Sequence, residues 1–171
     1  TGLLGLEIHQ DDGHRFGTRE AIAKIIKVLS SKIKIKGGDP IDYGVPYAHL
    51  KRVRVHDRER TLIYPNSKYL DNATSLLGLE ESKASMTQST ASVKDDMFTT
   101  EPCDPQESVV YRSALGSLLF YRLDVPDGQF EINTLAQVLR APTMGAMAAL
   151  QRLVRYLVGT KDRAIELKRP V

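Results

Sequence analysis

Between residues 81 and 107 the hydrophobic periodicity of the chain stops, and this gap separates two parts that must fold by different rules. The segment is rich in Ser, Thr, Asp and Glu, contains Pro102 and Pro105, and repeats no apolar face that a core could take up. It reads as a flexible connector, long enough to mark a subdomain boundary. Before it, short apolar runs alternate with turn residues. After it, apolar residues recur almost entirely at helical spacing, so the expected fold class is α+β.

In the first part, residues 3–10 read as a strand that runs into a tight turn at Asp11-Asp12-Gly13. Thr18 can cap a helix whose apolar face is Ile22, Ile25, Ile26 and Leu29, with Arg19, Glu20, Lys24 and Lys27 opposite. The alternation Ile33-Lys34-Ile35-Lys36 predicts a short half-exposed strand, broken by Gly37-Gly38-Asp39-Pro40. A β-hairpin is expected next. Its first strand interleaves Leu50, Val53 and Val55 with Lys51, Arg52 and Arg54, and its second is Thr61-Leu62-Ile63-Tyr64. Pro65 ends that strand, and Asn66 caps a helix carrying Tyr69, Leu70, Ala73, Leu76 and Leu77. Gly78 stands where a left-handed helix terminator is favoured.

Past Ser108 three helices are expected. The first runs through Val110, Ala114, Leu115, Leu118 and Leu119, the second through Ile132, Leu135, Ala136 and Leu139, and the third from Thr143 to Gly159. Residues 164–167 suggest one more strand. No internal repeat is visible.

Composition removes several classes. No window is long and apolar enough to span a bilayer, and the start has neither initiator Met nor signal-peptide pattern, so the chain reads as the middle of a longer one. The single Cys103 excludes an internal disulfide framework and fits a reducing compartment. His9, His14, His49 and His56 fall into no zinc-ligand spacing with it, so no structural metal of that kind is expected. Charge is unevenly spread: residues 1–60 hold 12 Lys/Arg against 8 Asp/Glu, residues 61–110 hold 3 against 8, and residues 111–171 hold 9 against 5. The basic ends suit a phosphate backbone, and solvated faces explain them equally well.

Asp11 and Asp12 are the one constellation with evident chemistry. Adjacent carboxylates at a strand-to-strand turn gather hard oxygen ligands at an exposed edge, which suits Mg²⁺ and two-metal phosphoryl transfer. Asp-Asp-Gly is also an ordinary hairpin turn.

His9-Gln10-Asp11-Asp12 resembles the aromatic-x-Asp-Asp box of reverse transcriptase palms, with His9 in the aromatic position and Gln10 where a small or apolar residue is usual. Residues 18–36 resemble the palm helix and strand after the box. Tyr47-Ala48-His49-Leu50-Lys51-Arg52 is similar to the start of the primer-grip hairpin, and Pro65-Asn66-Ser67-Lys68-Tyr69-Leu70 to the first thumb helix. Tyr111-Arg112-Ser113-Ala114-Leu115-Gly116-Ser117-Leu118-Leu119-Phe120 resembles the "Tyr-Arg-Ser-x-x-Gly-x-Leu-x-Tyr" segment of copia-type LTR-retrotransposon polyproteins. Asp124-Val125-Pro126-Asp127 stands where Arg-Pro-Asp is usual, and residues 141–143 and 152–162 continue the likeness.

The resemblance implies a partial reverse-transcriptase palm over residues 1–47 and a primer-grip hairpin with the first thumb helix over 48–80. The connector follows over 81–107, then a mostly helical thumb/connection region over 108–171. It implies RNA-directed DNA polymerisation, with Asp11 and Asp12 as catalytic metal ligands for Mg²⁺ or Mn²⁺, and with Lys51, Arg52 and Arg54 on primer phosphates. The partners implied are RNA/DNA primer-template, dNTPs and the rest of the polyprotein, with no membrane. The setting implied is cytoplasmic, in a virus-like particle or in the nucleus, and not secreted. The family's third catalytic aspartate and its fingers would precede Thr1, so the fragment is expected to be inactive alone and to bind Mg²⁺ poorly by itself. A non-catalytic nucleic-acid-binding module and a repurposed structural subunit of a larger assembly are the competing expectations.

Overall fold

Among the described residues, four helices between 67 and 159 supply the core, and three of them begin on a capping side chain. The structure, a computed structural model, describes residues 4–9, 12–37, 41–88, 96, 98 and 100–168. Helix α2 (Ser67–Leu76) is capped by Asn66, whose Oδ1 accepts from the Lys68 N–H at 3.1 Å. It ends in a Schellman motif around Gly78 at φ 63°, where Leu79 N donates to Thr74 O and Gly78 N to Ser75 O. Helix α3 (Pro105–Tyr121) starts three residues earlier than the periodicity suggests, because Asp104 and Glu107 form a reciprocal capping box with Pro105 behind them. Helix α4 (Gln129–Ala136) follows two short 3₁₀ turns, and α5 (Met144–Gly159) is capped by Thr143.

These helices supply the buried apolar side chains, among them Leu70, Leu115, Leu118, Ile132, Leu150, Leu153 and Leu157. Tyr111 and Tyr121 are buried with them. The Tyr111 hydroxyl donates to Leu135 O at 2.8 Å, which allows a phenol in a dry core. Both rings are thus packing residues of the core. Burial pushes the Tyr121 hydroxyl up to about 12.

The expected hairpin is part of a larger sheet. Strands β3 (Tyr47–His49), β4 (Arg52–His56), β5 (Arg60–Tyr64) and β6 (Ile165–Lys168) pair antiparallel in the order β3-β4-β5-β6. Leu50 and Lys51 are not on a strand. Both adopt left-handed backbone, at φ 49° and 62°, and make the tight β3–β4 turn that matches the twist of a two-stranded ribbon. At the β4–β5 turn the Asp57 carboxylate accepts from the Glu59 and Arg60 N–H groups, which holds it below the usual carboxylate range. The predicted tail strand pairs with β5, so the end of the described chain closes the sheet begun before the connector.

The residues ahead of this sheet form strand β1 (Leu4–His9), strand β2 (Asp12–Gly17) and helix α1 (Arg19–Ser30), the last capped by Thr18 as its sequence predicts. In the register His9↔Asp12 and Ile8↔Gly13, Asp12 and Gly13 belong to the return strand rather than to the expected turn. Across the ladder the Phe16 ring lies over Gly5, where an added Cβ would come within 2.1 Å of it. Residues 33–36 form no strand. Alternation supplies a suitable face, but a strand also needs a neighbouring edge, and β1–β2 remains a two-stranded sheet. No described side chain of β1, β2 or α1 is buried, and Ile8, Phe16 and Val28 are 67%, 52% and 59% exposed. Among the described residues no helix is long and apolar enough to cross a membrane.

Candidate functional site

Asp11 lies outside the described residues, and Asp12 is described only as backbone, the first residue of β2 opposite His9. The three basic residues of the predicted grip have different surroundings. Lys51 stands exposed on the β3–β4 turn. Arg52 donates through Nε to Asp124 Oδ1 at 2.5 Å, tying β4 to the 3₁₀ turn after α3. Arg54 is largely buried, with Nη1 3.8 Å from Glu7 Oε2. The Arg52–Asp124 contact implies a measurable difference. Arg52→Ala should lower stability by roughly 1–2 kcal/mol, because it leaves a carboxylate whose side chain is only 11% exposed without its charge-assisted partner. Lys51→Ala should change it by less than about 0.5 kcal/mol. Urea unfolding of the two variants checks this, and equal effects would show that the Asp124 contact contributes nothing.

Cross-strand register explains a polar cluster beside Arg54. The pairs Tyr47↔Arg54, His49↔Arg52 and His56↔Thr61 bring these six residues to one face of the four-stranded sheet. The β1–β2 hairpin brings its own cross-strand pair, Glu7 and His14, against that face. Thr61 Oγ1 and His56 Nδ1 are 2.7 Å apart, His56 Nε2 meets the Tyr47 hydroxyl, and that hydroxyl is 3.2 Å from His14 Nε2. The His14 and His49 rings lie 4.8 Å apart between centroids. Glu7 Oε2 sits 3.7 Å from His14 Nδ1 and 3.8 Å from His49 Nε2. Burial, reinforced by His49 and Arg54 and opposed by Glu7, holds the His14 pKa below the ordinary histidine value. Burial likewise raises the Tyr47 phenol, keeping it a protonated donor.

Sequence spacing did not reveal this cluster. Glu7, His14 and His49 stand at cross-strand and cross-sheet positions, whereas a search for closely spaced ligands around Cys103 looks along the chain. The donor sets also differ in chemistry. Two adjacent carboxylates suit Mg²⁺, but Glu7, His14 and His49 form the one gathered set of three potential ligands among the described residues. Its two imidazoles are not a Mg²⁺ shell.

Two of the proteins this chain is similar to are polyproteins of transposons. The chain is 39% identical over 70 residues to the retrovirus-related Pol polyprotein from transposon RE1 of Arabidopsis thaliana, a match covering 41% of this chain and 5% of the polyprotein. The corresponding polyprotein from transposon RE2 is 41% identical over 66 residues, 39% of this chain and 4% of that protein. An uncharacterised mitochondrial protein of the same plant is 24% identical over 136 residues, 80% of this chain and 53% of its own length. The chain thus spans about half of one relative and a small fraction of the two polyproteins. No family model matches it, and no solved structure matches it significantly.

Proposed function

We propose that this chain is the later part of a transposon reverse transcriptase, comprising the end of the palm, the primer-grip hairpin and the helical thumb and connection region. The observation that carries the reading is the antiparallel β1–β2 hairpin, whose return strand opens with Asp12 opposite His9. The order of the remaining elements supports it: a Thr18-capped helix, a tight hairpin after Tyr47, an Asn66-capped helix, and helices over the Tyr111–Phe120 segment. The polyprotein relatives support it from a different direction. In this reading Asp11 and Asp12 contribute to a Mg²⁺ or Mn²⁺ shell whose other carboxylate comes from elsewhere, and these 171 residues do not polymerise alone.

A second reading is favoured by the uncovered apolar side chains of Ile8, Phe16 and Val28, and by the engagement of Arg52 and Arg54 with acidic partners. These features suit a structural subunit that packs against another protein as well as they suit a palm fragment.

The test is extension of a labelled primer on an RNA template with dNTPs and Mg²⁺ or Mn²⁺. The chain is assayed alone and with the upstream palm and fingers segment of a matching element. The expected result is extension only in the supplemented reaction, reduced at least about a hundredfold by Asp11→Asn. Extension by the chain alone overturns the incomplete metal shell. Extension in neither reaction overturns the polymerase reading. A salt titration of nucleic-acid binding then separates a phosphate-binding module, whose affinity falls steeply with salt, from a structural subunit with no such affinity.

A further inference from the structure

We propose that Glu7, His14 and His49 form a binding site for a borderline divalent cation of the Zn²⁺ type, which fastens the β1–β2 hairpin to the four-stranded sheet. The three donor atoms come from β1, β2 and β3 and lie within 4.8 Å of one another. Bonds of the length Zn²⁺ makes to nitrogen and oxygen set tetrahedral ligand atoms about 3.3 Å apart. Glu7 Oε2, at 3.7 Å and 3.8 Å from the two nitrogens, needs to close by only about half an ångström to meet that spacing. The partly exposed Glu7 side leaves room for water in a fourth position.

A second observation points to the same ligand. His14 Nδ1 and His49 Nε2 are buried atoms with no hydrogen-bond partner among the described residues. Such an orphaned buried group is unfavourable, and a cation between the two nitrogens removes the deficit at both. The network behind His14 is compatible with the tautomer a ligand requires. When Tyr47 donates to His56 Nε2 and His56 Nδ1–H donates to Thr61 Oγ1, the phenol oxygen can accept from His14 Nε2–H as well as from the Arg54 guanidinium. The lone pair of His14 Nδ1 then faces Glu7 and His49. A ligating histidine commonly donates its other ring N–H in this way.

Two imidazoles and one carboxylate select against Mg²⁺ and Ca²⁺, which take oxygen shells. The site is therefore distinct in chemistry from the Asp11–Asp12 pair. Arg54 opposes it: its guanidinium lies 3.8 Å from the same Glu7 oxygen and must share or release that carboxylate when a cation enters. The hairpin has no buried side chain of its own among those described, so a metal clip would account for how it is held to the sheet.

Titration of the 171-residue chain with Zn²⁺ against a chromophoric chelator, together with the visible spectrum after Co²⁺ loading, tests the proposal. One equivalent of Zn²⁺ should bind, and Co²⁺ should give absorption bands of tetrahedral intensity. His14→Gln and His49→Gln should each weaken Zn²⁺ binding at least about a hundredfold, Arg54→Met should tighten it, and Asp11→Asn should leave it unchanged. Both histidines lie outside the helical core, so far-ultraviolet circular dichroism will show the variants folded. Stoichiometric Zn²⁺ binding that survives both histidine substitutions, or a Co²⁺ spectrum of octahedral weakness, overturns the site.

Discussion

Leu150→Ala is expected to lower the unfolding free energy by about 3–5 kcal/mol, while Ile8→Ala changes it by less than about 0.5 kcal/mol. Leu150 lies on α5, fully buried in the cluster shared with α2, α3 and α4. Truncation there removes the transfer free energy of three carbons and leaves a void that the surrounding leucines and tyrosines only partly close. Ile8 is an equally large side chain two-thirds exposed on a two-stranded ribbon, so alanine removes little buried surface. Denaturant unfolding followed by circular dichroism measures both. If Ile8→Ala costs as much as Leu150→Ala, the hairpin and α1 belong to the same cooperative core as the helices.

The contrast explains which parts of the fold were legible in the sequence. The boundaries marked by caps were, because Thr18, Asn66, Gly78 and Thr143 act within a few residues of themselves through hydrogen bonds or backbone preference, whereas the helix read through Leu139 ends at Ala136. The start of α3 was misplaced because the Asp104–Glu107 box begins the helix before any apolar residue does. Strand pairing was less legible. Residues 33–36 alternate as a strand should yet pair with nothing, whereas β6 pairs with a strand more than a hundred residues earlier. Alternation describes a face, and the partner edge is fixed by tertiary structure.

The site divides along the same line. Asp11 and Asp12 stand out in the sequence because they are adjacent, although their meaning rests on the resemblance of the residues around them. Glu7, His14 and His49 carry no local signal at all, and only the docking of one hairpin on one sheet face brings them together. Arg52 and Arg54 read as a basic stripe until their partners, Asp124 and Glu7, become visible.

Two helix glycines should respond to alanine with opposite signs. In α3 an added Cβ at Gly116 meets nothing within 4 Å, so Gly116→Ala should stabilise the chain by about 0.5–1 kcal/mol through helix propensity alone. In the first turn of α5 a Cβ at Gly145 would lie 2.4 Å from the Asp96 carbonyl oxygen and 2.8 Å from Thr100 Oγ1. Neither neighbour is free to retreat. The Asp96 carbonyl accepts from Thr100 N and Oγ1, Thr100 Oγ1 accepts from Gly145 N at 2.7 Å, and Met144 N donates to Glu101 O. Gly145→Ala should therefore cost about 1–3 kcal/mol despite its gain in helix propensity. Thermal unfolding of the two variants decides the matter. Destabilisation by Gly116→Ala would mean that α3 packs more tightly than its surroundings indicate. Stabilisation, the expected result, means that the fold of this chain makes no use of the missing side chain at Gly116.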